Sequence, residues 1–156
     1  MNLPDNLAAA IAAEIELELV DSTPVGGGSI SNSARGRLAD GRTVLVKWNS
    51  GALPGLFRTE RLGLELLRAT ETLRVPAVLA QAEASQDDPA FIVLEWLGQG
   101  VPTSGAAEAL GRGLAALHRV TAKSYGLDHD NYIGANPQPN RQSGDWVTFF
   151  REQRLG

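Results

Sequence analysis

A tight β-hairpin in the first third of the chain is the feature that most restricts the folds open to it. Asp40-Gly41 separates two apolar runs within residues 37–48, and an Asp-Gly pair in that setting is a strong signal for a turn between two strands. The second run, TVLVKWN at 43–49, carries Lys47 among valine and leucine side chains. A lysine in such a strand either protects a sheet edge or anchors a negatively charged group. The neighbouring segments decide between these interpretations.

The next segment, 53–71, has the period of a helix, and a carboxylate occupies one of its apolar positions. Glu60 stands four residues after Leu56 and four before Leu64, where the pattern calls for leucine. The helix is therefore expected to turn a carboxylate towards the sheet. The predicted apolar stripe consists of Leu53, Leu56, Leu64 and Leu67.

The other segments of the first hundred residues predict one more helix and three more strands. Residues 3–19 place apolar side chains four apart, which is typical of an amphipathic helix. Residues 20–25 are interpreted as a short strand, and GGGSISNSARG at 26–36 as a loop rich in glycine and serine. Residues 76–83 and 90–97 are predicted to be strands on either side of a polar turn.

The chain beyond residue 102 is predicted to contain two helices separated by a long irregular stretch. Thr103 or Ser104 is expected to cap the first helix, which ends near His118. Asp145 is expected to cap the second helix. The side chains expected to face inward from the first helix are Leu110, Leu114 and Leu117. The second helix carries three aromatic residues with little predicted structure to pack against, Trp146, Phe149 and Phe150.

The composition excludes several functional classes. The chain has 156 residues, 43% hydrophobic and 21% charged, which suffices for a globular core. It contains no cysteine and two histidines, so disulfides and thiolate metal sites are excluded. A net charge of -4 leaves no basic cluster for nucleic acid. No run of about 18 apolar residues predicts a membrane span, and the acidic N-terminal stretch is unlike a secretory signal. A cytoplasmic location is therefore expected.

A glycine loop, a lysine on a strand and a glutamate on the following helix occur in that order. Taken singly, the glycines are typical of a flexible connector, and Lys47 is typical of a charge on an edge strand. Glu60 alone is typical of a helix residue that faces a solvent-filled groove. Together they meet the needs of nucleotide phosphates, which bind closely approaching backbone N–H groups and a fixed cation. Glu60 would hold the ammonium of Lys47 towards the phosphates, because a long lysine side chain loses rotamer freedom when it is fixed. The predicted loop residues are Gly26, Gly27, Gly28 and Ser29.

The segment FIVLEWLGQG at 91–100 is an apolar strand followed by glycines. Such a segment suits a hinge between two lobes, and clefts between lobes are favoured ligand sites. At this hinge the backbone C=O of Glu95 and the backbone N–H of Leu97 would meet the edge of an adenine. The alternative interpretation is a buried strand followed by a turn.

These blocks resemble those of the fructosamine kinase (ketosamine-3-kinase) family, which has a protein-kinase-like fold and is related to aminoglycoside phosphotransferases and choline kinases. The last of the similar stretches is the most specific, because related kinases share only the earlier ones. The stretches are PVGGGSIS, VLVKWN, FRTERLGLELLR, VPAVL, FIVLEWL, LGRGLAALHR and YGLDHDNYIGANPQPNRQSGDWVTFFREQRL.

The resemblance implies an α+β fold, in which a small lobe with a five-stranded antiparallel sheet and an inward-facing helix precedes the first helices of a large lobe. The implied divisions are 1–97 for the nucleotide-binding lobe, 98–102 for the hinge and 103–156 for the beginning of the large lobe. The implied cofactors are ATP and Mg²⁺. The implied reaction is phosphorylation of a sugar hydroxyl on a fructosamine, which is a small-molecule or glycated-amine substrate. The nucleotide would contact the loop at 26–29, Lys47, Glu60, Glu95 and Leu97.

The catalytic loop of such kinases does not occur in the sequence. Members of this fold carry a stretch resembling H-G-D-x-x-x-x-N, whose aspartate acts on the substrate hydroxyl, and a later aspartate for magnesium. The nearest stretch, DHDNYIGAN at 128–136, places Ala135 five residues after Asp130. The chain alone is therefore expected to be inactive and to be part of a longer kinase. The alternatives are an aminoglycoside- or choline-type kinase, and a non-catalytic nucleotide-binding or interaction module that associates through exposed aromatic residues.

Overall fold

A computed structural model describes residues 3–26, 28, 30–101 and 103–156. The helices are α1 (Asp5–Ile15), α2 (Leu56–Arg68), α3 (Ala106–Leu117) and α4 (Trp146–Phe150), and α4 continues as a π-helical segment at Arg151–Leu155. The strands are β1 (Leu19–Pro24), β2 (Asn32–Leu38), β3 (Thr43–Asn49), β4 (Val78–Ala82), β5 (Ala90–Glu95), β6 (Asn131–Ile133) and β7 (Asn136–Gln138).

Five strands form one antiparallel sheet in the order β1-β2-β3-β5-β4. The predicted turn at Asp40-Gly41 joins β2 to β3, and Gly41 has a φ of 87°, a left-handed conformation that glycine adopts without strain. Because β3 pairs with both β2 and β5, Lys47 lies on a strand inside the sheet. Edge protection is therefore excluded as its role. Together with the helices, this sheet confirms the predicted α+β class.

One face of the sheet is covered by α1. Leu7 and Ile11 of this helix are fully buried, as the apolar period of the segment predicts. They pack with Val44, Val46 and Trp48, the alternate residues of β3. This face holds the larger of the two apolar clusters found in the described residues.

The opposite face of the sheet packs against α2. Phe57 of α2 is buried there with Ile92 and Leu94 of β5. Since successive residues of a strand point to opposite faces, Leu45 and Lys47 of β3 lie on this side. The packing of α2 therefore brings the helix to the face that carries the lysine.

β2 begins inside the segment predicted to be a loop. Its pairing with β3 starts at Asn32, which lies opposite Trp48. Gly36 permits the close packing of β1, because a Cβ there would lie 2.6 Å from Leu19 Cδ1. The hydrogen bonds of the sheet and this packing outweigh the low strand propensity of asparagine and glycine.

α1 is shorter than the helix predicted at 3–19. It ends at Ile15, and Glu16 adopts a left-handed conformation with a φ of 58°. The apolar spacing nevertheless continues, because Leu17 and Leu19 pack on the same core from an extended segment. Apolar spacing alone therefore does not show where this helix ends.

α3 differs from its prediction in both its cap and its buried face. No side chain caps the helix, so the predicted cap at Thr103 or Ser104 is wrong. Leu110 and Leu114 are 55% and 40% exposed rather than inward-facing, and Leu117 is half-buried. An amphipathic face becomes buried only where another element packs on it. Within the described residues, no helix or strand makes extensive contact with this one.

The predicted cap of the last helix is present. Asp145 Oδ2 accepts a 2.7 Å hydrogen bond from the backbone N–H of Thr148. Ser143 Oγ in turn accepts a 3.1 Å hydrogen bond from the backbone N–H of Asp145. These contacts confirm the helix start that the sequence indicates.

The aromatic residues of α4 differ from one another in exposure. Trp146 and Phe150 are 50% and 41% exposed, whereas Phe149 is buried at 5%. The expectation that Phe149 is exposed is therefore wrong. Its ring packs against the backbone of Gly126 and lies 4.7 Å below the guanidinium of Arg154, and the sequence gives no sign of either contact.

A second hairpin lies in the stretch predicted to be irregular. β6 and β7 pair from Asn131 opposite Gln138 to Ile133 opposite Asn136. Gly134, with a φ of 64°, begins the turn between them. The sequence does not reveal this hairpin, because strands of three residues rich in asparagine and proline lack a strand signature.

None of the helices that the structure describes is long and apolar enough to cross a membrane. α2, for example, has 13 residues, whereas a helical span takes about 20.

Candidate functional site

Lys47 and Glu60 form an ion pair between β3 and α2. Lys47 Nζ lies 2.6 Å from Glu60 Oε1 and 2.7 Å from Oε2, so both carboxylate oxygens accept a hydrogen bond from the ammonium. The two side chains are 26% and 29% exposed, which places the pair at an opening rather than in the core. The structure thus brings together the two residues that stand out in the sequence.

The local sequence explains why these side chains meet. Lys47 shares the α2 face of β3 with Leu45, and Glu60 lies one helical turn after Leu56. Phe57 is buried beside the pair, with its ring centroid 5.9 Å from Lys47 Nζ, a distance at which a cation is attracted to a ring face. The carboxylate and the ring together lower the cost of holding a charge in partly apolar surroundings.

The ion pair faces a cleft of about 420 Å³. Side chains of α2 form one wall, and the β6–β7 hairpin forms another. A volume of this order suits a small ligand. Besides the ion pair, the residues that line the cleft include Ile30, Ser31, Thr59, Leu64, Asn131 and Tyr132.

The segment that contains the predicted glycine loop ends at this cleft. Ile30 lines the cleft, and its C=O accepts a 2.7 Å hydrogen bond from Asn49 Nδ2 at the end of β3. Gly28 has a φ of 120°, and a Cβ at Gly26 would meet no atom within 4 Å. The other two predicted loop residues, Gly27 and Ser29, lie outside the described residues.

Glu95 ends β5, and its side chain is on the other face of the sheet from Lys47, because it lies opposite Val44. Its carboxylate accepts hydrogen bonds from Arg74 Nη2 at 2.7 Å and from the Ala77 N–H at 3.2 Å. The hydrogen bond from Arg74, followed by that from Ala77, holds the pKa of Glu95 below its ordinary value. These contacts fix the last residue of β5.

Leu97 lies in a segment without helix or strand that follows β5. The preceding residue, Trp96, donates a 3.3 Å backbone hydrogen bond to the C=O of Thr43. β5 ends at Glu95, so Leu97 lies beyond the strand. The hinge at 98–102 stays a prediction. The roles of Glu95 and Leu97 at an adenine stay predictions.

Sequence reasoning missed a contact beside this connection. Arg35 of β2 lies opposite Leu45 and shares the face of Lys47. Its guanidinium carbon is 5.4 Å from the centroid of the Trp96 ring, within the range of a cation–π contact. The available signal was the alternation of polar residues along β2, in which Ser33, Arg35 and Arg37 share a face.

Sequence reasoning also missed the link between the β6–β7 hairpin and α2. Tyr132 Oη donates a 2.8 Å hydrogen bond to the C=O of Pro54, just before α2 begins. The two residues are 78 positions apart, and no local pattern indicates such a contact.

In the part of the chain that the structure describes, no group of three or more His, Cys, Asp or Glu residues is placed to hold a metal ion. Asp128 and His129 approach each other, with 2.6 Å between Oδ1 and Nδ1. This hydrogen bond lowers the pKa of Asp128. Neither side chain lines the cleft that the ion pair faces, so these two residues supply no metal ligand there.

Comparison with known proteins identifies the family. A sequence model of the fructosamine kinase family matches residues 6–156. The chain belongs to this family. It is 40% identical to the chloroplastic protein-ribulosamine 3-kinase of Arabidopsis thaliana over 134 residues. This alignment covers 85% of the chain and 40% of that relative. It is also 39% identical to a probable ketoamine kinase of Synechocystis over 121 residues. That alignment covers 76% of the chain and 40% of the relative.

A solved structure supports the assignment to the fructosamine kinase family. A Thermobifida fusca protein provisionally named a fructosamine-3-kinase superposes with a TM-score of 0.83 and 34% identity, covering 97% of the chain and 52% of that protein. The likeness confirms the predicted fold class, a kinase-like small lobe followed by helices of a second lobe. The chain spans about 40% of the length of the two curated relatives and about half of this solved one.

Proposed function

We propose that this chain is the nucleotide-binding part of an ATP-dependent kinase that phosphorylates a sugar hydroxyl of fructosamines and other ketosamines. The observation that carries the proposal is the Lys47–Glu60 pair at a cleft, in a chain of the fructosamine kinase family. The names of the relatives, a ribulosamine 3-kinase and a ketoamine kinase, support the substrate class. The activity is proposed for the whole protein, and this chain alone is expected to be inactive.

Lys47 is proposed to anchor the phosphates of ATP. An ammonium has three N–H donors, and the two oxygens of Glu60 accept two of them. The third donor is then available to a phosphate oxygen that enters the cleft. Glu60 fixes the direction of the ammonium, and a charge that is already in position stabilises a phosphoryl group during transfer.

The glycine segment is proposed to cover these phosphates. Gly26 has open space around it, and Gly28 adopts a φ of 120° that other residues rarely take. Backbone N–H groups approach an anion closely where side chains are missing. Gly27 and Ser29 are included in this proposal from the sequence pattern.

The backbone C=O of Glu95 and N–H of Leu97 are proposed to bind the adenine. The support is that Arg74 and Ala77 hold the Glu95 carboxylate on the far face of the sheet. The side chain is thereby kept away from the face of Lys47. The proposal divides the chain into a nucleotide-binding lobe at 1–97, a hinge at 98–102 and the beginning of the second lobe at 103–156.

Mg²⁺ and the acceptor hydroxyl are proposed to be bound by the remainder of the whole protein. The support is that the described residues offer no cluster for a metal and that the chain covers about 40% of the first two relatives. The proposed role is the repair of glycated amines in the cytoplasm. Nucleic acids and membranes are not expected partners.

The test is the transfer of labelled phosphate from ATP to a ketosamine formed from glucose and a lysine derivative. The whole protein is expected to phosphorylate the ketosamine in the presence of Mg²⁺, and the 156-residue chain is expected not to. Aminoglycosides and choline serve as competing acceptors. Phosphorylation of one of these without the ketosamine would replace the proposed substrate, and transfer by the 156-residue chain would contradict the proposed location of the catalytic step.

A second candidate function, a non-catalytic interaction module, is favoured by one observation. Trp146 and Phe150 expose 50% and 41% of their surface on α4, and neighbouring exposed aromatic residues mark surfaces where proteins associate. Light scattering on the whole protein separates the two candidates. A stable dimer without phosphotransferase activity supports the module, and an active monomer contradicts it.

A further inference from the structure

The first turn of α2 has no cap of its own. Gly55, the residue before the helix, has a φ of 72°, and no side-chain hydrogen bond caps the helix start. Glu60 lies one turn inside the helix, four residues after Leu56. A helix start that is not fixed by a local cap takes its position from contacts with other elements. The distance between Glu60 and Lys47 therefore depends on those contacts.

Besides the packing of Phe57 against β5, two hydrogen bonds from distant segments hold the start of α2. The Gly55 N–H donates a 3.0 Å hydrogen bond to Glu83 Oε2, just after β4. Tyr132 Oη donates a 2.8 Å hydrogen bond to the C=O of Pro54. The first contact comes from the sheet and the second from the β6–β7 hairpin. The hairpin is thus joined to the helix that carries Glu60.

The β6–β7 hairpin is itself anchored by a buried asparagine. Asn140 is 3% exposed, and its side-chain N–H groups donate to the C=O of His129 at 3.0 Å and to Asn131 Oδ1 at 2.9 Å. Its backbone N–H donates to Asp130 Oδ1 at 2.7 Å. Arg154 donates to Asn140 Oδ1 at 2.6 Å. Both ends of the hairpin are thereby tied together and to the C-terminal helical segment.

The turn of the same hairpin reaches the segment before β2. A Cβ at Gly134 would lie 3.2 Å from Ile30 Cδ1. Tyr132 and Gly134 also line the cleft together with the ion pair. The hairpin therefore contacts two walls of the cleft, and Tyr132 joins it to the segment that leads into α2.

We propose that Tyr132 is a positioning residue, which holds the start of α2 through Pro54 and thereby keeps Glu60 against Lys47. The β6–β7 hairpin links the C-terminal helical segment to the start of α2. The effect on kinase activity rests on the proposed function. The effect on the ion pair does not, because the reactivity of Lys47 is measured without ATP.

The chain has two lysines, Lys47 and Lys123, so their relative reactivity reports on the ion pair. Limited acetylation with acetic anhydride, followed by mass spectrometry, gives the ratio of modified Lys47 to modified Lys123. An ammonium held by a carboxylate must leave it and lose a proton before it reacts. Tyr132→Phe is expected to raise the ratio about 3- to 10-fold, the range that corresponds to the loss of one hydrogen bond. The matched control Tyr125→Phe, at a ring that is 45% exposed, leaves the ratio unchanged.

Non-additivity shows whether Tyr132 acts through the pair. Glu60→Gln is expected to raise the acetylation ratio more than Tyr132→Phe does. The double variant is expected to give the ratio of Glu60→Gln alone, because no pair remains for the tyrosine to hold. A ratio in Tyr132→Phe equal to that of the unaltered chain would overturn the proposal. The proposal would also be overturned if Tyr132→Phe raised the acetylation ratio by the same factor in the Glu60→Gln background as in the unaltered chain.

Kinetics of the whole protein separate this proposal from the proposed function. Tyr132→Phe is expected to raise KM for ATP about 3- to 10-fold, with KM for the ketosamine unchanged. Absence of phosphate transfer in the unaltered protein would refute the proposed function, and the acetylation ratio would still decide the role of Tyr132. Hydrogen exchange at residues 56–60 provides a second measurement. Faster exchange at these residues in Tyr132→Phe supports the proposed role of Tyr132, and unchanged exchange contradicts that role.

Discussion

Lys47 Nζ donates to both carboxylate oxygens of Glu60, at 2.6 and 2.7 Å, across the space between β3 and α2. The pair is neither buried nor freely exposed, since the two side chains are 26% and 29% accessible. A fully buried pair would carry a large desolvation cost, and a fully exposed pair would hold its side chains weakly. At intermediate exposure the ammonium is held in one direction and is still accessible to an anion.

Replacement of Lys47 is expected to impair the use of ATP severely. In the whole protein, Lys47→Met should lower kcat/KM for ATP by about 10²- to 10³-fold, because the phosphates lose a cation that is fixed before they bind. ADP release measures the effect. The control is Lys123→Met, at an exposed lysine outside the cleft, which should retain the original rate. Turnover of Lys47→Met within about threefold of the unaltered protein would contradict the assignment.

Replacement of Glu60 is expected to have a smaller effect than replacement of Lys47. Glu60→Gln keeps the shape of the side chain and leaves the ammonium present but undirected, so kcat/KM for ATP should fall about 10- to 100-fold. Glu65→Gln is the matched control on the same helix, because Glu65 pairs with Arg61 at 2.9 Å and is half exposed. Initial rates over a range of ATP concentrations provide the measurement. Equal rates in the two variants would rule out a role for Glu60.

The parts of the fold that the sequence predicts are those set by local chemistry. Asp40-Gly41 specifies a turn within a few residues, and the alternation along β3 decides which side chains share a face. Lys47 and Glu60 follow from the same kind of information, because a strand period and a helix period each place one side chain. These periods place each side chain on one face of its element, and the two meet because α2 packs on the face of β3 that carries Lys47.

The parts that the sequence does not predict depend on distant partners. The hydrogen bond from Tyr132 to Pro54 joins residues 78 positions apart, and the burial of Phe149 depends on the loop at Gly126. The apolar period of α3 predicted a buried face, yet Leu110 is 55% exposed. Periodicity states which side chains share a face of a helix. It does not state whether another element covers that face.

The Asp145 cap is expected to make part of the stability depend on pH. Hydrogen bonds from Thr148, first that of its backbone N–H, hold the pKa of Asp145 below its ordinary value of 3.8. Because the folded pKa is the lower one, the carboxylate stabilises the fold above the unfolded pKa. That stabilisation is lost as the pH falls through the folded pKa. Asp145→Ala should lower Tm at pH 7 by about 2 to 4 °C, and the difference should shrink below about pH 4.

Thermal unfolding followed by circular dichroism at pH 7 and at pH 3 measures this difference. Ser104→Ala is the control, because Ser104 stands near the start of α3 and no side chain caps that helix. It should leave Tm unchanged at both pH values. A difference between Asp145→Ala and the unaltered chain that stays constant from pH 7 to pH 3 would contradict the assignment of the cap.

Gly126 is expected to tolerate no side chain, because its backbone is left-handed and its surroundings are filled. Its φ is 96°, and a Cβ would lie 2.6 Å from the C=O oxygen of Asn140 and 2.9 Å from Phe149 Cε2. Gly126→Ala should therefore lower the free energy of unfolding by about 2 to 4 kcal/mol. Gly111→Ala is the matched control inside α3, where a Cβ would meet nothing within 4 Å, and it should raise the free energy of unfolding by about 0.5 to 1 kcal/mol. Urea denaturation measures both values, and equal changes in the two variants would show that the contact between Gly126 and Asn140 does not constrain the fold.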